Sequence, residues 1–131
     1  MALEVHVVTP EREVWAGQAR MIVARGVEGE VGILPGHAPL LIRLAIGALR
    51  IEGQDGTWEA AVVDGGFLHV TSGGDGTRVD VLASFAEMAK EIDAHVAEMR
   101  LEQARQRVAV RDDVGARAEL ARALARVNLV G

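Results

Sequence analysis

The stretch VDVLASFAEMAKEIDAHVAEMRLEQARQRV, residues 79–108, changes its period partway along. It opens on an alternation: Val79 and Val81 flank Asp80, the pattern of a half-buried strand. From Phe85 to Val108 there is neither Gly nor Pro, and strong helix formers (Ala, Glu, Arg, Met, Leu) dominate. Met88, Ile92, Val96 and Met99 share one stripe at about 100° per residue. Ala94, Ala97, Leu101, Ala104 and Val108 form another on roughly the opposite side. Two apolar stripes predict two packing partners for this helix. The switch near Ser84 divides the chain into a β unit, residues 1–84, and a helical unit, residues 85–131.

Before the switch, period two recurs. Leu3, Val5 and Val7 alternate with Glu4 and His6, Leu49 and Ile51 with Arg50 and Glu52, and Leu68 and Val70 flank His69. Turn formers punctuate these runs, among them Pro35-Gly36, Asp55-Gly56 and the Gly73–Gly76 cluster. Short strands at such spacing favour a sandwich or barrel over βαβ units, with Asp55-Gly56 and Gly73–Gly76 as hairpin turns. After the switch, Arg111-Asp112-Asp113 reads as a turn with Asp112 or Asp113 as N-cap. A second helix then runs to about Val127, with Ala116, Leu120, Ala123, Leu124 and Val127 on one face. The short turn makes the two helices an antiparallel hairpin. The fold class is therefore α+β.

Composition narrows the function. The 131 residues carry 14 basic and 19 acidic side chains, a formal charge of −5. Nucleic acid is a poor partner for such a surface. The charge is uneven: from Gln103 onward there are six arginines against three acids. This suggests that the two units meet different partners. There is no cysteine, so disulfides and thiolate metal sites are excluded. Met1–Val8 has no leader character, and no apolar run reaches the roughly 20 residues that span a bilayer. Direct bilayer insertion is not expected.

Catalytic chemistry finds little support. The glycines of Gly26–Gly36 lack the Lys and hydroxyl of a phosphate loop. His6, His37, His69 and His95 lie at no metal-ligand spacing, and no G-x-S-x-G is present. No catalytic residue and no metal ligand is expected. Two alternatives remain open: a stand-alone ligand-binding sandwich with a helical lid, and a small metal enzyme using His6, His37 or His69.

Residues 28–41 read EGEVGILPGHAPLL. This run resembles the EGE-x-G-x-x-PGHAPLL segment of the epsilon subunits of F-type ATP synthases, whose mitochondrial counterpart is called delta. Val5–Pro10 resembles the family's first strand, Val14–Gly17 its second element, Asp64–Val70 its GGF-x-V strand, and Val79–Ala83 its last strand. The resemblance covers nearly the whole chain. It implies a ten-stranded antiparallel β-sandwich followed by an antiparallel α-helical hairpin. It also implies a non-catalytic rotor subunit of the central stalk, which couples ion-driven c-ring rotation to ATP synthesis. The subunit would be peripheral, on the cytoplasmic face of a bacterial plasma membrane.

By the same resemblance, gamma and the c-ring are the sandwich's partners, with Glu28, Glu30, His37 and Pro39 as contact candidates. Pro35 fixes φ and Gly36 permits a positive φ, so this loop is expected to be stiff. Family hairpins restrain ATP hydrolysis when extended toward the alpha and beta subunits. Arg105, Arg107, Arg117, Arg122 and Arg126 are the candidates for that contact. No cofactor is required, but some bacterial relatives bind regulatory ATP through an I-D-x-x-R-A motif. The matching run is Ile92-Asp93-Ala94-His95-Val96-Ala97, with Glu87, Arg122 and Arg126 completing the polar pattern. Val96 stands where the motif has arginine, and a charged phosphate partner is hard to replace.

Overall fold

The computed structural model describes residues 2–130. Nine strands come first: β1 (Leu3–Val8), β2 (Glu13–Gly26), β3 (Gly29–Ile33), β4 (Leu40–Arg43), β5 (Gly47–Gly53), β6 (Trp58–Asp64), β7 (Phe67–Gly73), β8 (Gly76–Leu82) and β9 (Phe85–Met88). A 3-10 turn at Ala89–Glu91 leads to helices α1 (Ala94–Val110) and α2 (Val114–Val130). The β-sandwich and helical hairpin expected from the sequence are both present.

The alternation in β1 shows why the sheets close. Leu3, Val5 and Val7 are fully buried, while Glu4 is exposed and His6 half-buried. Ladder order runs β4-β7-β8-β1-β2-β5-β6-β9, with β3 added on β2. β2 is the hinge of this arrangement. Ala19 pairs with Leu3 of β1 and with Gly53 of β5, so those two strands lie on opposite edges of β2. Ile22 pairs with Ile33 of β3 and Ile51 of β5, which puts β3 on the β1 edge. One fourteen-residue strand thus serves both layers, with an irregularity between Ala19 and Met21. Between the layers lies one core, which includes Ile22, Leu49, Leu68 and Val79. Each such side chain contributes about 1.5–3 kcal/mol by leaving water.

The details differ from expectation in three ways. Nine strands are seen among the described residues where ten were expected, and β2 is one strand of fourteen residues. The β1–β8 ladder is parallel, whereas the other ladders are antiparallel. The helix expected from Phe85 begins at Ala94, and Val79–Ala83 is not the last strand. Phe85–Met88 forms β9 on the free edge of β6, burying Ala86 and Met88. A two-residue period hides there within a helix-forming composition, and the open edge overrides propensity.

Both expected hairpin turns join consecutive strands: Asp55-Gly56 links β5 to β6, and the Gly73–Gly76 cluster links β7 to β8. Gly66 has the stricter role. Its φ is +97°, and a Cβ there would stand 2.0 Å from the Leu82 carbonyl oxygen. No side chain fits that approach.

In the hairpin, Asp93 caps α1 by accepting from the Val96 N–H at 3.0 Å. Asp113, rather than Asp112, caps α2 by accepting from the Ala116 N–H at 2.8 Å. Leu101 and Ala104 pack on Ala123, Leu120 and Val127 in a cluster separate from the sandwich core. Here α2, not α1, has two partners: it packs on α1 and lies over β5 and β6. The stripe expected along Met88, Ile92, Val96 and Met99 is broken up. Met88 is buried in β9, while Val96 and Met99 are exposed.

Candidate functional site

The run at residues 28–41 spans two places. Glu28 and Glu30 are exposed where β2 turns into β3, beside a cleft of about 310 Å³ lined also by Val27 and Leu41. His37 and Pro39 follow the far end of β3. At roughly 3.3 Å per residue, this five-residue strand separates them from the glutamates. The structure does not gather the four contact candidates into one loop.

The His37 loop is held firmly. Its Gly36, at φ +86°, donates its N–H to Thr77 Oγ1 at 2.8 Å. Ser72 Oγ donates to the His37 carbonyl at 2.6 Å, and the His37 N–H donates to the Leu34 carbonyl at 3.1 Å. The β7–β8 hairpin therefore sets the pose of the Pro35-Gly36-His37 turn.

The sequence did not single out the outer face of β1, β7 and β8. Phe67 and Leu82 are paired across strands and both exposed. Period-two reading assigns one phase to the core and leaves the other to solvent, so two large apolar residues on the outer phase pass unnoticed. On the same face, His6 Nε2 meets Glu4 at 2.7 Å and Nδ1 meets Glu13 at 3.1 Å. These two carboxylates raise the His6 pKa above its ordinary value, Glu4 having the larger effect. Arg78 bonds Glu4 at 2.9 Å and Asp80 at 3.0 Å. Among the described residues no three such side chains are placed to hold a metal.

Four of the five candidate arginines on the hairpin are engaged. Arg107 pairs with Glu119 across the helices, and Arg117 with Asp112 at the turn. The Arg117 hydrogen bond lowers the Asp112 pKa. Arg122 reaches Asp64 at the end of β6. Arg126 donates to Glu87 on β9 at 3.0 Å, and its guanidinium lies 5.3 Å from the centre of the Phe85 ring. Arg105 is exposed.

Of the nucleotide candidates, Glu87, Ile92, Asp93, Ala97 and Arg126 line one recess, joined there by Arg100; Arg122 lies elsewhere. The recess measures about 150 Å³. Ligand pockets usually run to roughly 300–1,000 Å³. Glu87 already occupies Arg126, and Asp93 is spent as a helix cap. A larger cleft, about 420 Å³, lies at the β7–β8 turn beside Glu4 and Gln18.

A β-sandwich carrying a two-helix appendage that packs on β5 and β6 defines the class of fold. The family model for the beta-sandwich domain of the ATP synthase delta/epsilon chain matches residues 2–89, ending beside β9. An ATP synthase epsilon chain of Thermobifida fusca is 46% identical, over 96% of this chain and 90% of its own. One from Streptomyces coelicolor is 44% identical over 80% and 83%. A chain in a structure of the Euglena gracilis mitochondrial ATP synthase (OSCP, F1 and c-ring) superposes with a TM-score of 0.77 at 28% identity, over 98% of this chain and 78% of that one. The chain belongs to the delta/epsilon family of F-type ATP synthase subunits, as one of its epsilon chains.

Proposed function

We propose that this chain is a non-catalytic rotor subunit of the central stalk. Its sandwich couples the ion-driven c-ring to gamma, and its hairpin restrains ATP hydrolysis when extended toward the alpha and beta subunits. The observation that carries this reading is the match to the Thermobifida relative, which continues past the sandwich and through the hairpin. The rigid sandwich suits torque transfer, and the separately packed hairpin suits displacement.

Residues 1–84 are assigned to the rotor contacts and 85–131 to regulation, with β9 belonging physically to the sandwich. Glu28, Glu30, His37 and Pro39 supply contacts at two places on the rotor. Arg105, Arg107, Arg117, Arg122 and Arg126 meet acidic surface in the extended state. No helix among the described residues is long and apolar enough to cross a membrane. The chain sits on the cytoplasmic face of a bacterial plasma membrane through its partners. It works without a cofactor: calorimetric titration with MgATP is expected to show no heat at millimolar ligand, and saturable binding would restore the nucleotide reading. Size-exclusion co-elution with the cognate gamma subunit tests the assignment. A stoichiometric complex is expected, and separate elution of two folded proteins would remove the assignment.

A further inference from the structure

Through α2 the hairpin covers β5 and β6, and Val62 of β6, outside the sandwich core, is fully buried. The hairpin's own cluster, built on Leu101, Ala104 and Ala123, does not merge with the sandwich core. Along β5 a cleft of about 340 Å³ opens between Ala121, Leu124 and Ala125 of α2 and Gly47, Ala48 and Arg50 of the sheet. At the other side of the interface stand two ion pairs. Arg122 and Arg126 are one helical turn apart, so both project from the same face of α2, about 6 Å apart along its axis. Asp64 and Glu87 lie on the adjacent strands β6 and β9, where Asp64 is opposite Phe85 and Val62 is opposite Glu87. That diagonal across neighbouring strands is about 7–8 Å, which matches the helical spacing. Phe85, opposite Asp64, places its ring against the Arg126 guanidinium.

We propose that Asp64 and Glu87, with the Phe85 ring, form a built-in clasp that holds the hairpin folded without any ligand, by occupying the two arginines that its extended state would need. The proposal rests on the reading of the hairpin as a displaceable restraint. Arg126 and Glu87 form the tighter half, their side chains 13% and 27% exposed. Asp64 and Arg122, at 19% and 39%, form the looser half. The chain between clasp and helix is itself secured. Glu91 accepts from the Met88 N–H at 3.1 Å and from Arg12 at 3.3 Å. Release therefore pivots at Ile92 and Asp93, between the 3-10 turn and α1. Folded and extended states use the same guanidinium groups in turn. Carboxylates of this chain hold them first, and acidic groups of a partner take them afterwards.

The natural absence of cysteine permits a direct test. Nitroxide labels at Gln54→Cys on the β5–β6 turn and Gln106→Cys on α1 read the distance between the two units by electron spin resonance. The isolated chain is expected to show one short distance. The D64N/E87Q pair is expected to raise the long-distance population about tenfold. Salt raised from about 0.05 to about 0.5 M should do the same in the unaltered clasp, and little more in D64N/E87Q. R122Q/R126Q opens the same contacts from the helix side and serves if the sheet variant folds poorly. Unchanged distances in a folded variant of either kind overturn the clasp. ATPase assays on the assembled complex separate the two ideas. An opened hairpin with undiminished hydrolysis leaves the clasp standing and removes the restraint.

Discussion

The sandwich and the hairpin solve the same problem by different means. In the sandwich, nineteen buried residues from both layers form one cluster, and β2 ties the layers together. In the hairpin, three buried residues form the seam, two of them alanines, and two ion pairs tie it to the sheet. Apolar burial scales with area and is not screened by salt, whereas ion pairs near a surface are worth little each and are screened. The first unit is held by one shared core, and the second by its own small seam and its attachment to the sheet.

The strongest way to break the contrast is Gly66→Ala. The added Cβ would overlap the Leu82 carbonyl at a positive φ, so the variant is expected to lose about 4 kcal/mol of sandwich stability in chemical denaturation. Next come two matched truncations. Ile22→Ala empties the shared core and should cost about 2–5 kcal/mol in the main unfolding transition. Leu101→Ala should leave that transition nearly unmoved, while amide exchange in α1 and α2 accelerates. Equal losses for the two would erase the distinction between the units.

A third variant sharpens it. Charge reversal at Arg122 and Arg126 should free the hairpin from the sheet and yet weaken inhibition of hydrolysis several-fold, because both states need these cations. Retained inhibition would show that other groups make the restraining contact.

The smallest effect concerns pH. The His6 pKa is raised by Glu4 and Glu13. Its extra stability is therefore complete below the ordinary value of 6.5 and is lost as pH rises through the higher folded value. The midpoint of thermal unfolding should fall slightly between about pH 6 and 8, and His6→Gln should flatten that slope. A rise over the same interval would contradict the contacts seen here.

Much of the architecture was legible because period and punctuation are local. Leu3, Val5 and Val7 announced a buried phase, and Asp113 stands at the helix start it caps. What escaped depends on neighbours far along the chain. Phe85–Met88 became a strand because β6 offered a free edge, a fact settled more than twenty residues earlier. Asp64 was quoted within a family motif, but its partner Arg122 lies fifty-eight positions away. The exposure of Phe67 and Leu82 was likewise invisible, since the solvent phase of a strand carries no signal of what will cover it. Glu30 lies on β3 and His37 in the loop beyond the far end of that strand, a separation that closeness in the chain does not reveal.

The continuity of β2 also has a mechanical consequence. A load directed along a strand is borne by all the hydrogen bonds of its ladders together, while a load directed across the strand peels them one by one. β2 carries ladders to β1, β3 and β5 over its fourteen residues. Stress entering at either end of the sandwich therefore passes from one layer to the other in shear, through a single uninterrupted length of backbone.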